Sequence, residues 1–206
     1  MDIINIYAVG HIKLITVVKK ISQKLSFAIQ LVEFLHPEEF SAHISHKVTN
    51  AYNAGVVICD LSVSKNRFLS LFEGYSEAHR DGFLKFIFVD VFLDPSEVSS
   101  LIYRGVSTVL SKDFTEKQLE DAIRLGINQS LEKKQQVVKG ITAIARLGNL
   151  TSKEISILSL MLNGYTNKEI ATKLGNSSRT IEIHRASIFE KMNVKNAIEL
   201  ALMLND

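Results

Sequence analysis

A parallel α/β domain followed by a smaller all-helical one is the architecture this sequence predicts, on three observations. Short apolar runs alternate five times with longer segments of helical period, the alternation ends near Leu150 with only helical period beyond it, and 206 residues suffice for two cores when domains cluster near 100 to 150 residues. Strict strand–helix alternation calls for a parallel sheet covered by helices on both faces.

The elements follow in order. The pairs are INIYAV with IKLITVVKKISQKL, FAIQLVEF with PEEFSAHISHKVTNAYN, VVICDL with RFLSLFEGYSEAHR, KFIFVDV with DPSEVSSLIYRG, and VSTVLS with FTEKQLEDAIRLG. Asp94-Pro95-Ser96-Glu97 is a helix start, with Asp as N-cap, Pro at the first helical position and Glu three residues after the cap; Thr115 with Gln118 repeats the device. Past Thr115 there is no proline, and Leu119, Ile123, Ile127, Leu131, Val138, Ile141 and Ala145 keep helical spacing. One long helix joining the halves is expected, through Gly126 and Gly140, which each cost it ~1 kcal/mol; two shorter helices broken near Gly140 are the alternative. A helix that long carries an apolar stripe beyond its own domain, and a second copy of the chain is the simplest partner for it. The expected division is 1–128, a helical linker at 129–148, and 149–206.

Composition narrows the function classes. Apolar and charged fractions of 46% and 22% are ordinary for a folded globular chain. No run of ~18 apolar residues and no secretion signal are present, so a cytoplasmic address without membrane attachment is expected. Cys59, the sole cysteine, excludes an internal disulfide and a thiolate metal site, and its apolar neighbours make it a core residue. Residues 1–140 carry 16 basic and 16 acidic side chains, whereas 141–206 carry 8 and 6, a slight positive bias that suits a small DNA-binding unit.

In doubly wound sheets, chemistry gathers outside the carboxyl ends of the strands. Asp60, Asp90 and Lys112 all fall at such ends. No Gly-rich phosphate loop follows the first strand, where Val9-Gly10-His11 stands, and no nucleophile–base pair can be named, so neither an enzyme nor a cofactor is expected.

From Leu150 the segments TSKEISILSLMLNG, TNKEIATKLG, SSRTIEIHRASIFEKMN and NAIELALMLND read as helices. Thr151 with Glu154 and Thr166 with Glu169 are capping boxes, and Gly164 and Gly175 mark helix ends. A short helix at 167–174, the turn Gly175-Asn176 and a longer helix from Ser178 make a helix-turn-helix with Ile170, Ala171, Leu174, Ile181, Ile188 and Met192 inside. This stretch resembles the DNA-binding domain of the LuxR/FixJ/NarL family of bacterial transcription regulators. The resemblance is carried by Leu150-Thr151 with Glu154, Gly164, Asn167-Lys168-Glu169-Ile170-Ala171, Ser177, Arg179-Thr180-Ile181-Glu182, His184-Arg185 and Lys191.

The resemblance implies double-stranded DNA as partner, the stripe of the 115–147 helix points to a homodimer through it, and RNA polymerase is a further candidate partner. Lys168, Thr180, Arg185, Lys191 and Lys195 are placed for phosphate oxygens, with Arg179 beside them, and the family implies that role for Lys168, Thr180 and Lys191. Base-edge positions correspond to Glu182, Ile183 and Ala186: the acid can accept from cytosine N4, and the two apolar residues can lie against thymine methyls. Pairing of Glu182 with Arg179 or Arg185 on a solvated face is the plainer alternative.

The first ~130 residues resemble a receiver domain of flavodoxin-like (βα)5 fold, with Asp60 at the phospho-acceptor position and Lys112 at that of the lysine after the fifth strand. Two departures make the receiver atypical. Val9-Gly10 replace the paired acids that hold Mg²⁺, which needs oxygen ligands, and Asp90 replaces a hydroxyl residue, where a carboxylate repels phosphate and donates nothing. The expectation is therefore a retired switch with no metal, in which Lys112 bridges Asp60, Asp90 or both. A conventional phosphate-activated regulator and a heterodimerising adaptor are the alternatives.

Overall fold

The computed structural model describes residues 3–47, 54–78, 83–91 and 93–205, with the side chains at 45–47, 76–78, 90, 91 and 205 outside that description. Five strands, β1 (Ile3–Val9), β2 (Ala28–Phe34), β3 (Gly55–Asp60), β4 (Leu84–Val91) and β5 (Thr108–Ser111), form one parallel sheet in the order β2-β1-β3-β4-β5. Strand order reverses between β1 and β3, so the crevice at their carboxyl ends is where this fold class places ligands.

Central strands read as unbroken apolar runs because both faces are covered: all six residues of β3 are buried. On one face, helix α1 (Ile12–Ser22) and helix α5 (Glu116–Leu147) pack Leu14, Ile15, Val18, Ile21, Leu119, Ile123 and Ile127 against Ile4, Ile6, Val56, Ile58 and Ile87. On the other, helices α2 (Pro37–Lys47), α3 (Leu61–Ala78) and α4 (Pro95–Tyr103) bring Phe40, Phe68, Phe72 and Leu101 onto Tyr7, Val57, Phe86 and Phe88. Cys59 is fully buried among them, and burial, then the negative charge of Asp60, pushes its thiol pKa well above the ordinary value.

The expected helix starts are present. Asp94 accepts from the backbone of Ser96 and Glu97 at 2.8 and 2.9 Å while Glu97 reaches back to the Asp94 N–H at 3.1 Å. Thr115 and Gln118 do the same at 2.8 and 3.2 Å. α5 runs through Gly140 without a break, so the alternative of two shorter helices is excluded. At Gly126 a β-carbon would meet both γ-carbons of Val56 at 3.2 and 3.4 Å, which explains a glycine there as a close helix–sheet approach.

Two details differ from expectation, and part of two expected helices lies outside the described residues. α3 begins at Leu61 instead of near Arg67, with an extended residue, Ser64 (φ −166°, ψ 88°), interrupting its first turn. α2 ends at Lys47 in the described portion, and the rest of its expected length, 48–53, lies outside the described residues, as do 79 and 80 at the end of the expected third helix. β4 pairs Phe88 with Val109 but Val91 with Ser111, so one extra β4 residue bulges at its tip.

The chain divides into two compact units, Met1–Lys134 and Gln135–Asp206, with the division falling inside α5. The second unit holds α6 (Ser152–Leu162), α7 (Asn167–Leu174), α8 (Ser178–Met192) and α9 (Ala197–Asn205) around Leu150, Ile157, Leu158, Ile170, Ile181, Ile188, Met192 and Leu200. Among the described residues no helix is long and apolar enough to cross a membrane.

Candidate nucleic-acid interface and strand-tip crevice

At the sheet's switch point the backbone leaves β1 at Val9, which is fully buried, and turns at Gly10 with φ +145°, a conformation side-chain-bearing residues rarely adopt. A β-carbon at position 10 would fall on the β-carbon of Asp60 and lie 3.2 Å from its γ-carbon. The turn thus lies directly against the acid. Asp60 is 4% exposed, and its Oδ2 accepts the His11 N–H at 3.1 Å while its Oδ1 accepts the Ser62 N–H at 3.1 Å and the Ser62 hydroxyl at 2.6 Å.

The expected bridge from Lys112 to Asp60 is not formed. Among the described residues no cation lies within ion-pair distance of Asp60; neutral donors of the β1–α1 turn and of Ser62 occupy its oxygens, and Lys112 sits exposed in the turn after β5. The side chain of Asp90, the other expected partner, lies outside the described residues. The described residues at this tip do not fit a divalent ion. Position 10 has no room for a second carboxylate, and the oxygens of Asp60 are already committed to N–H and O–H donors.

In the second unit, sequence and geometry agree more closely. Thr166 caps α7 reciprocally with Glu169, Gly175 ends it in the left-handed region (φ 63°, ψ 36°), and Ser177 caps α8 by accepting from the Thr180 N–H at 3.0 Å. The tight turn leaves the first turn of α8 at the surface. Arg179, Glu182, Ile183 and Ala186, spaced i, i+3, i+4, i+7, form one exposed helix face, with Ile183 59% exposed. Lys168 on α7 and Lys195 after α8 are also exposed.

Other expected contact residues are engaged within the unit. Glu182 pairs with Arg179 at 3.2 Å, the plainer of the two readings. Thr180 shares its hydroxyl with Ser177 at 2.8 Å, and the Arg185 guanidinium lies 5.7 Å from the centre of the Phe189 ring. Lys191 reaches inward to Glu154, at 3.0 and 2.7 Å from its two oxygens. That acid is 4% exposed and also accepts from Ser187, Thr151 Oγ1 and the Thr151 N–H. Lys191, then the Thr151 backbone, pulls its pKa from 4.5 down to about 2.

Sequence reasoning passed over three groups that shape this surface. Lys153 holds Asn176 of the turn at 3.1 Å, Lys173 stands 4.6 Å over the Tyr165 ring, and Arg146 of α5 donates to the Met192 carbonyl at 2.9 Å, capping the C-terminus of α8. Arg146 and Lys173, as basic residues in the last turns of α5 and α7, carried a local signal, although the carbonyl that Arg146 meets lies 46 residues away.

Residues 148–204 match the family described as bacterial regulatory proteins, luxR family. The chain is 32% identical over 99 residues to the transcriptional regulatory protein FixJ of Azorhizobium caulinodans, covering 48% of this chain and 47% of that protein. It is 30% identical over 149 residues to the transcriptional regulatory protein TdiR of Thauera aromatica, covering 71% and 63%. The chain thus spans about half to three fifths of the length of these two relatives. Among solved structures, the response regulator StyR superposes with a TM-score of 0.72 at 20% identity, covering 98% of each chain, and full-length FixJ from B. japonicum with 0.50 at 18%, covering 97% and 94%. These two likenesses are likenesses of fold.

Proposed function

We propose that this chain, whose residues 148–204 are a luxR-family regulatory domain behind a receiver-type α/β unit, is a dimeric DNA-binding transcription regulator that works without phosphorylation of Asp60. The observation that carries the second half of this reading is the Gly10 turn closed over Asp60. Phosphoryl transfer to a carboxylate needs an in-line approach and a cation to neutralise the migrating oxygens. Against this stand the 4% exposure of Asp60 and the three neutral donors on its oxygens, with no cation at ion-pair distance among the described residues.

DNA binding rests on the α7-turn-α8 geometry. α8 presents Arg179, Glu182, Ile183 and Ala186 to a major groove, while Lys168, Thr180, Arg185 and Lys195 supply phosphate contacts. A homodimer through α5 is supported by the exposed apolar side chains Val138, Ile141 and Ile144. A cytoplasmic location, and RNA polymerase as an eventual partner, belong to the same reading.

A second reading, activation by phosphate, keeps one supporting observation: a carboxylate at the tip of β3 and a lysine following β5. Incubation with a small phosphodonor and Mg²⁺ followed by intact mass separates the two. Unchanged mass and unchanged DNA affinity are expected, and stoichiometric modification of Asp60 would reverse the choice. Sedimentation of the chain with Ile141→Glu tests the dimer, a shift to monomer being expected.

A further inference from the structure

Resemblance assigns Lys191 to the DNA backbone, but its ammonium group is bound to both oxygens of Glu154, an acid on the first turn of α6. Ser187, one turn earlier on α8, donates to the same carboxylate at 2.8 Å. Two successive turns of the recognition helix are therefore fastened to one point on α6. Glu154 is itself fixed, because as the N3 residue of a capping box it accepts the Thr151 N–H at 2.7 Å. Swinging Lys191 out to a phosphate would leave a buried carboxylate without its cation, the costly half of breaking a buried pair. The exposed Lys168 and Lys195 can make phosphate contacts with no such loss.

We infer that Lys191 serves DNA recognition as a positioning residue acting through Glu154, setting the angle at which α8 meets the groove, and not as a phosphate ligand. The inference rests on the DNA-binding reading above and deepens it. Glu154 becomes a specificity-determining residue that touches no base, and the capping box that starts α6 also orients α8.

The two roles differ in their salt dependence. Each phosphate neutralised adds about 0.9 to the slope of log affinity against log salt, whereas a misaligned reader loses base contacts and keeps its slope. The full chain with Lys191→Met, with Glu154→Gln, which keeps the cap, and with both is titrated against two duplexes over a salt series. One duplex is selected from a random pool by the unsubstituted protein, and the other is scrambled. Each single substitution is expected to lower the selected-to-scrambled affinity ratio by roughly tenfold, the size of one lost base-pair contact, with the slope unchanged and the double variant no worse. A slope flatter by about 0.9 in Lys191→Met, or an unaltered ratio in Glu154→Gln, would overturn the inference. Should the unsubstituted protein select no duplex, the DNA reading fails instead. Melting of the same variants then decides the pair, since non-additive losses support it and additive losses overturn it.

Discussion

Asp60 and Glu154 are equally hidden from water, each 4% exposed, yet their surroundings are opposites. Asp60 is held by two backbone N–H groups and a hydroxyl, with no cation in reach among the described residues. Glu154 has a lysine on both oxygens in addition to hydroxyl and backbone donors. The acid that resemblance marks as reactive is thus enclosed by its own turn, while the one that reads as a helix cap ties two helices together. Position in a motif says which residue to inspect; the donors around it say what it does.

Restoring an acid to the turn is the harshest test of that contrast. Gly10→Asp puts a side chain on a φ of +145° and against the β-carbon of Asp60, so urea unfolding should show a loss of about 3 kcal/mol or more. Normal stability with new Mg²⁺ affinity would mean that the enclosure is not real. Next in size, Glu154 should make stability pH-dependent. Its pKa falls from 4.5 to about 2 on folding, so the stabilisation is complete above about 4.5 and is lost as pH falls toward 2. Glu154→Gln should flatten that acid limb by about 2 kcal/mol, allowing for the solvent that reaches Lys191, as followed by circular dichroism.

Asp60→Ala should be milder, about 1–2 kcal/mol from the unmet His11 and Ser62 donors, with DNA affinity unaltered. Loss of DNA binding without loss of stability would restore a signalling role to Asp60. The smallest effect is expected at an exposed acid that serves as control. Glu182→Ala should change stability by less than about 0.5 kcal/mol yet alter which bases are preferred in a selection experiment.

Most of the fold was legible because its signals are local. Alternating periods gave the five strands and their helices, and capping pairs gave starts at Pro95, Ser152 and Asn167 that the structure reproduces. What stayed illegible depends on groups distant in sequence. That Gly10 lies on Asp60 requires strand order, and that Lys191 meets Glu154 requires the packing of helices 37 residues apart. The bulge in β4 had no composition signal, since Val89-Asp90-Val91 reads as an ordinary strand end. The Arg179–Glu182 pair was foreseeable from spacing alone; base contacts depend on DNA as well as on the protein.

Cys59 is fully buried in the centre of the sheet, the chain has no other thiol, and its pKa is pushed well above the ordinary value. A maleimide can therefore label the protein only in the moments when β3 is laid bare, which makes the residue a built-in clock for opening of the first unit. Because the second unit carries no sulfhydryl, the labelling rate in an unmodified chain reports on exposure of β3 in the first unit alone.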